Sequence, residues 1–225
     1  MAMRNWLRDN RHFVAILLLF GFVRTAIADW NPVPTGSMRP TILEGDVVFV
    51  NRLAYDLKLP LTDRIVLPLG EPRRGDIVTF SSPKDGTRLI KRIAAVPGDT
   101  IRMRGNRLFV DGAEIDYAPL GEVVERIDAR HVVRAERALE RFGIDAHTVQ
   151  WLRGAASRSN FGPVTVPPGQ YLMLGDNRDD SEDSRYFGLV PRERLIGRAE
   201  RILVSADIKD RWQLRLDRFG KRFDD

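Results

Sequence analysis

Eleven residues near the start of the chain, Phe13 to Val23 (FVAILLLFGFV), run without a charge, and after Arg24 the apolar character resumes as Thr25-Ala26-Ile27-Ala28. Such a segment must be covered by lipid or by a protein core. Phe13 to Ala28 is 16 residues. As a helix it would be about 24 Å long at about 1.5 Å per residue, short of a hydrocarbon core of about 30 Å. Arg24 lies where its stem can snorkel to the interface, and Trp30 suits an interfacial anchor. Arg4, Arg8 and Arg11 against Asp9 precede the run. The positive-inside rule therefore places residues 1–12 in the cytoplasm, makes 13–30 a single-pass anchor and exports residues 31–225. A cleaved secretory signal stands beside this reading, because Ala26-Ile27-Ala28 is an A-x-A site behind a short apolar core. A buried helix of a soluble protein is the third reading. The first two both export the body.

The chain as a whole has an ordinary globular balance: of the 225 residues, 43% are hydrophobic and 30% charged, which excludes a disordered chain, a collagen and a polytopic membrane protein. The absence of cysteine removes disulfides, thiol nucleophiles and thiolate zinc sites. The three histidines, His12, His131 and His147, are too scattered for a histidine-rich metal centre. A net charge of +5 fits an anionic membrane surface as well as it fits nucleic acid and separates neither.

Short apolar or alternating runs at Val47–Val50, Ile77–Phe80, Leu89–Val96, Ile101–Met103, Leu108–Val110, Tyr171–Leu174 and Arg201–Val204 are punctuated by Gly, Pro and Asp. They read as strands, with a hairpin turning at Gly105-Asn106. From Gly121 to Gly143 the pattern changes. Val124, Ile127, His131, Ala135, Ala138 and Phe142 recur at three- and four-residue spacing, predicting a helix capped by Gly143, with His131 as a partly buried packing residue. A second short helix, capped by Asp145, is expected through Leu152. The fold class is thus mainly β: an antiparallel sheet or partly closed barrel with a helical insertion at about 120–161, behind one transmembrane helix. The tail at 205–225 mixes Trp212, Leu214, Leu216, Phe219 and Phe223 with Arg211, Arg215, Arg218, Lys221 and Arg222. It suits a membrane surface and a solvated terminus equally well.

Three constellations carry chemistry. In Pro34-Thr35-Gly36-Ser37-Met38-Arg39-Pro40-Thr41, two prolines and a glycine hold Ser37 on a stiff non-helical loop. Alone, such a serine is most often a turn residue. In Arg88-Leu89-Ile90-Lys91-Arg92-Ile93-Ala94, alternation puts Lys91 on one strand face with Leu89 and Ile93. Burial there lowers an amine's pKa, and the neutral amine can take a proton from a hydroxyl; on an edge strand the same lysine simply faces solvent. The third, Gly175-Asp176-Asn177-Arg178-Asp179-Asp180-Ser181-Glu182-Asp183-Ser184-Arg185-Tyr186, is acidic but fails the EF-hand spacing, with Ser181 where the glycine belongs and Leu189 in place of the closing glutamate.

In this order, and with Arg73–Phe80 (RRGDIVTF), these motifs resemble the bacterial type I signal peptidases, or leader peptidases, over residues 13–118 and 162–204. The resemblance implies a membrane-anchored serine endopeptidase that removes signal peptides from exported preproteins after small residues of A-x-A type. It implies Ser37 as nucleophile and Lys91 as general base. Thr35 and the Ser37 N–H would stabilise the oxyanion, and Ser181 would hold the lysine amine. Met38 would lie near the substrate cleft, and Asp183 and Arg185 would form a structural ion pair. No metal, cofactor or nucleic-acid partner is implied; the partners are signal peptides and the lipid bilayer. The location is the inner membrane, with the body on the periplasmic side. Thr35 departs from the serine common at its position, a single anchor departs from relatives with two, and 120–161 has no matched counterpart. Self-cleavage after Ala28 fits the enzyme's own rule. The competing functions are a paralogue with a narrow substrate set, a non-catalytic membrane-anchored binding module and a self-cleaving repressor, the last opposed by the apolar run.

Overall fold

The computed structural model describes residue 6 and residues 10–59, 61–127, 131–143 and 145–223. Helix α1 (Arg11–Phe22) has 12 residues, about 18 Å. A π-helical turn, Val23–Ile27, leads from it directly into β1 (Ala28–Pro32). No helix among the described residues is long and apolar enough to cross a membrane. The expected anchor at 13–30 is therefore helical only as far as Ile27. Residues 28–30 are strand, because Ala28, Asp29 and Trp30 pair with Asn51, Val50 and Phe49. Arg4, Arg8 and Asp9, on which the orientation rests, lie outside the described residues.

Downstream the chain is almost entirely β. Strand β2 (Asp46–Asn51) follows the Pro34–Thr41 loop, and β3 (Asp56–Lys58) and β4 (Ile65–Pro68) form a hairpin. Next come β5 (Ile77–Ser81), β6 (Arg88–Ala95), β7 (Thr100–Arg104), β8 (Arg107–Val110) and β9 (Ala113–Glu114). The segment expected to be helical forms β10 (Asp116–Arg126), β11 (Val132–Phe142) and β12 (Asp145–Leu152). The chain continues through β13 (Phe161–Thr165), β14 (Gln170–Leu174), a single helical turn α2 (Ser184–Phe187), β15 (Val190–Pro191), β16 (Leu195–Asp207) and β17 (Gln213–Leu214).

The main sheet runs β1-β2-β16-β5-β6-β14-β15, with β17 on β16. Its long strand β16 shifts register between Leu195 and Gly197, Ala199 and Arg201, and Ile202 and Val204; such irregularities bend and twist a sheet. A second sheet, β13-β7-β8-β9, covers β6 and β14 through Ala94, Ile101, Met103, Leu108, Leu172 and Leu174. Another cluster, built on Val78, Phe80, Ile93, Tyr171, Met173 and Leu195, sits among β5, β6, β14 and β16. A third, Val33, Met38, Ile42, Val48, Val50, Ile77 and Ala199, lies beneath the Pro34–Thr41 loop. The turn expected at Gly105-Asn106 is present, with φ of 55° and 66° at its two central residues, as a two-residue hairpin of type I′ requires.

The helical insertion is a misreading. Residues 116–152 form a three-stranded antiparallel sheet, β10-β11-β12, and the second helix expected after Asp145 is β12. Arg134–Phe142 is rich in Ala, Leu, Glu and Arg, all good helix formers, but cross-strand pairing overrides that weak preference. The period-2 signal of a half-buried strand is hidden because one inward position is a charged residue, Glu140, which is 0% exposed. Gly143 serves the β11–β12 connection with φ of 68° rather than a helix end. His131 is exposed, not part of a packed stripe. The tail is not simply solvated along its length: β17 pairs with β16, Arg218 is buried on Asp46, and Phe223 packs against the third cluster, while Trp212, Leu214, Leu216 and Phe219 are exposed.

Candidate active site

Ser37 follows β1 on the proline-glycine loop, which is held by the Met38 and Ile42 side chains plugged into the third cluster. Lys91 is the fourth residue of β6, paired with Val78, and is 3% exposed. The two meet with Lys91 Nζ 2.5 Å from Ser37 Oγ, and the amine also reaches the Ile90 carbonyl at 3.1 Å. Burial drives the Lys91 pKa down to about 8, although Asp183, Asp176, Asp180 and Glu182 each push it upward. An amine with that value is substantially neutral just above neutral pH and can receive a hydroxyl proton.

Around this pair the other expected residues fall in distinct places. Thr35 is exposed, and neither its hydroxyl nor the Ser37 N–H is engaged with another described residue. Both donors are thus free for an incoming oxygen. Ser181 Oγ is buried without a hydrogen-bond partner, and the lysine amine bonds to Ser37 and Ile90 instead. Met38, expected near the cleft, is 0% exposed and packs in the third cluster. Asp183 and Arg185 form a two-pronged ion pair at 2.8 and 2.9 Å, both fully buried. Asp183 also accepts from the Gly175 N–H. Gly175 must be glycine: a Cβ there would lie 2.3 Å from Ser181 Oγ and 2.5 Å from the Ser37 carbonyl.

Several residues that hold this arrangement were not singled out from the sequence. Arg92, next to the lysine but on the opposite strand face, grips Asp176 at 2.9 and 2.7 Å, while Asp176 accepts from Thr41 at 2.6 Å. Burial opposes the Asp176 charge, and Arg92 outweighs it, holding the carboxyl below its ordinary range. Asn177 donates its N–H to the Ser37 carbonyl and its side-chain amide to the Gly36 carbonyl, both at 3.1 Å. Arg39 is buried between Glu44 and Glu125, the latter from β10. Charged residues inside an otherwise apolar strand or a Pro/Gly loop were the available signal. Among the described residues no cluster suits a metal ion.

The family model "Signal peptidase, peptidase S26" matches residues 3–204. This chain belongs to the S26 signal peptidases. Signal peptidase I of Pseudomonas fluorescens is 32% identical over 208 residues, covering 87% of this chain and 72% of the relative. That of Pseudomonas aeruginosa is 33% identical over 219 residues with the same coverage. A signal peptidase I structure from Enterococcus faecalis aligns at a TM-score of 0.35 and 28% identity, over 57% of this chain and 96% of that one; the fold described here stands on its own strand pairings. As a signal peptidase, the protein is a serine endopeptidase that removes signal peptides. In this signal peptidase the order of motifs along the chain becomes one spatial cluster, although Ser37 and Lys91 are 54 positions apart.

Proposed function

We propose that this signal peptidase cuts by a Ser37/Lys91 dyad, after small residues, while anchored in the inner membrane by its N-terminal segment. The observation that carries the reading is the 2.5 Å approach of the buried Lys91 amine to Ser37 Oγ. With Lys91 neutral, the Ser37 hydroxyl donates to the amine lone pair, and the oxygen attacks the substrate carbonyl as its proton passes to Nζ. The carbonyl oxygen becomes an oxyanion, met by the Ser37 N–H and the Thr35 hydroxyl. The Lys91 ammonium returns the proton to the departing amine, which leaves as the new N-terminus of the mature protein. Water, deprotonated by the same amine, then hydrolyses the acyl-serine and restores the hydroxyl.

Two free edges support an extended substrate. Among the described residues strand β1 pairs only with β2, and β14 pairs with β6 only at Arg92, Ile93 and Ala95, leaving Arg88–Lys91 unpaired on that side. Arg88 reaches from β6 to Asp29 and Asn31 of β1, at 2.9 and 2.8 Å, so these edges flank one slot. A peptide strand added there would direct alternate side chains into the protein, which favours small residues near the cut.

The membrane reading is supported by the apolar face of α1, where Phe13, Ile16, Leu17, Leu19 and Phe20 are all more than half exposed. It is supported too by the β3–β4 hairpin, which shows Leu59, Leu61, Val66 and Leu67 to the outside and whose Leu61 lines one cavity with Thr25 of the π-helical turn. The test is cleavage of a purified preprotein bearing an A-x-A site, in detergent, read by mass spectrometry. Ser37→Ala and Lys91→Ala should each abolish the cut while leaving the circular-dichroism spectrum intact. Near-normal cleavage by Lys91→Ala would end the dyad reading. No cleavage by the folded wild type would favour a narrow substrate set.

A further inference from the structure

The β10–β12 sheet touches the catalytic machinery through a buried charge that the proposed mechanism does not use. Glu140, near the end of β11, is 0% exposed, and its Oε1 accepts from Arg178 Nη2 at 2.5 Å. Its other oxygen accepts from the Tyr117 hydroxyl of β10 at 2.5 Å. Burial opposes the charge on Glu140, and Arg178 and His147 outweigh it, leaving the carboxyl ionised well below its ordinary range. Among the described residues Glu140 is the one carboxylate paired with Arg178, which is 1% exposed; Asp176 favours the Arg178 charge from farther away, and Arg178 Nη1 has no hydrogen-bond partner.

What Glu140 anchors lies against the nucleophile. Arg178 Nε donates to the Gly175 carbonyl at 3.1 Å, closing the turn 175–178. The same turn is laced to β12, since Gln150 N–H donates to the Asp176 carbonyl and Arg178 N–H to the Gln150 carbonyl, both at 2.9 Å. Between these fixed points sits Asn177, whose two hydrogen bonds hold the Gly36 and Ser37 carbonyls. Displacing the turn therefore shifts Ser37 relative to Lys91, and an error of about 1 Å in a reacting pair can cost about a hundredfold in rate.

We propose that Glu140 is a positioning residue for cleavage: by clamping Arg178 it sets the turn on which the Ser37 backbone rests, and this is the task of the 116–152 sheet. The inference rests on Ser37 being the nucleophile. An ion pair kept only for stability makes a different prediction from one kept for geometry, because a buried pair can be replaced by apolar side chains with little or no loss of stability.

The experiment compares Glu140→Gln, the double variant Glu140→Leu/Arg178→Met, and Ser37→Ala in the preprotein assay, with thermal melts on each. For the double variant the expected result is a melting temperature near wild type, an unchanged KM and a kcat lower by at least about 30-fold, between the full cost of a misplaced pair and none. Recovery of kcat together with stability would show a purely structural pair and overturn the proposal. Glu140→Gln keeps the shape and an acceptor for Arg178, so it should fold and lose kcat by a smaller factor at constant KM. A folded Glu140→Gln with wild-type kcat would overturn the proposal even if the double variant failed to fold. If Ser37→Ala still cleaves, the nucleophile assignment has failed instead, which separates the two outcomes.

Discussion

At the scale of single residues the proposed dyad depends on one lysine being in the wrong solvent. Burial lowers the Lys91 pKa to about 8 from an ordinary 10.5. Only the neutral amine accepts a proton, so kcat/KM should rise with pH through about 8 and level off above it; a pH–rate profile on a fixed A-x-A peptide reads this directly. The same shift has a stability counterpart. Below pH 8 the folded protein must hold a buried ammonium, a cost of about 3 kcal/mol at about 1.4 kcal/mol per pH unit. As pH rises from 8 towards 10.5 the folded state is neutral while the unfolded chain still binds the proton, and the cost fades. Lys91→Met should therefore raise the melting temperature near pH 7 and lose that advantage by about pH 10.5, as calorimetry at several pH values would register. Thr35, exposed and without an internal partner, should matter only once charge develops on the substrate. Thr35→Val is expected to lower kcat by about a hundredfold or more at nearly constant KM, as loss of one oxyanion donor does; a fall confined to KM would remove Thr35 from that role.

Among the elements, β1 decides the fate of the Ala26-Ile27-Ala28 sequence. Ala26 is buried, Ala28 pairs with Asn51, and Asp29 is 3% exposed, bonded to Arg88 at 2.9 Å with Arg24 and Arg52 at 3.6 Å. Cutting the Ala28–Asp29 bond would require stripping β1 from β2. Purified enzyme incubated below its melting temperature should thus yield no fragment beginning at Asp29, and N-terminal mass spectrometry over a day would reveal one if it formed. Strand β2, the β5–β6 hairpin, the β7–β8 turn and β14 were legible because their apolar residues face a core made of other apolar residues. The β10–β12 sheet was not, because its inward positions include Glu140 and Gln150, polar residues whose partners are Tyr117 and Arg137 on neighbouring strands and, through Arg178 and backbone bonds, the distant turn at 176–178. In the site, Ser37, Lys91 and the Asp183–Arg185 pair were legible from motifs, whereas the Arg92–Asp176–Thr41 and Asn177–Ser37 links depend on strand faces and backbone carbonyls, which residue types do not display.

Across the whole molecule, the C-terminal segment packs on the Pro34–Thr41 loop beside the 116–152 sheet, to which the Arg126–Asp210 pair at 3.3 Å ties it. Arg218 pairs with Asp46 at 2.6 Å and donates to the Thr41 carbonyl at 3.0 Å, and Lys209 reaches Glu44, the partner of Arg39. Because Asp46 is 0% exposed, Arg218→Ala leaves a stranded charge and should cost about 3–5 kcal/mol in chemical denaturation; a loss under 1 kcal/mol would mean that the tail is a passive cover. The N-terminal end has a different consequence. Helix, π-helical turn and β1 follow one another without a linker, and Ser37 stands nine positions after Ala28. Nine residues span at most about 30 Å at about 3.3 Å each. Ser37, the nucleophile of the proposed dyad, is thus tethered at a bounded height above the end of the helix, like the blade of a depth gauge. With the helix anchored at the membrane boundary as proposed, a sequence of the right chemistry held farther than that from the same boundary would never come under it, and selection would be partly a measurement of length.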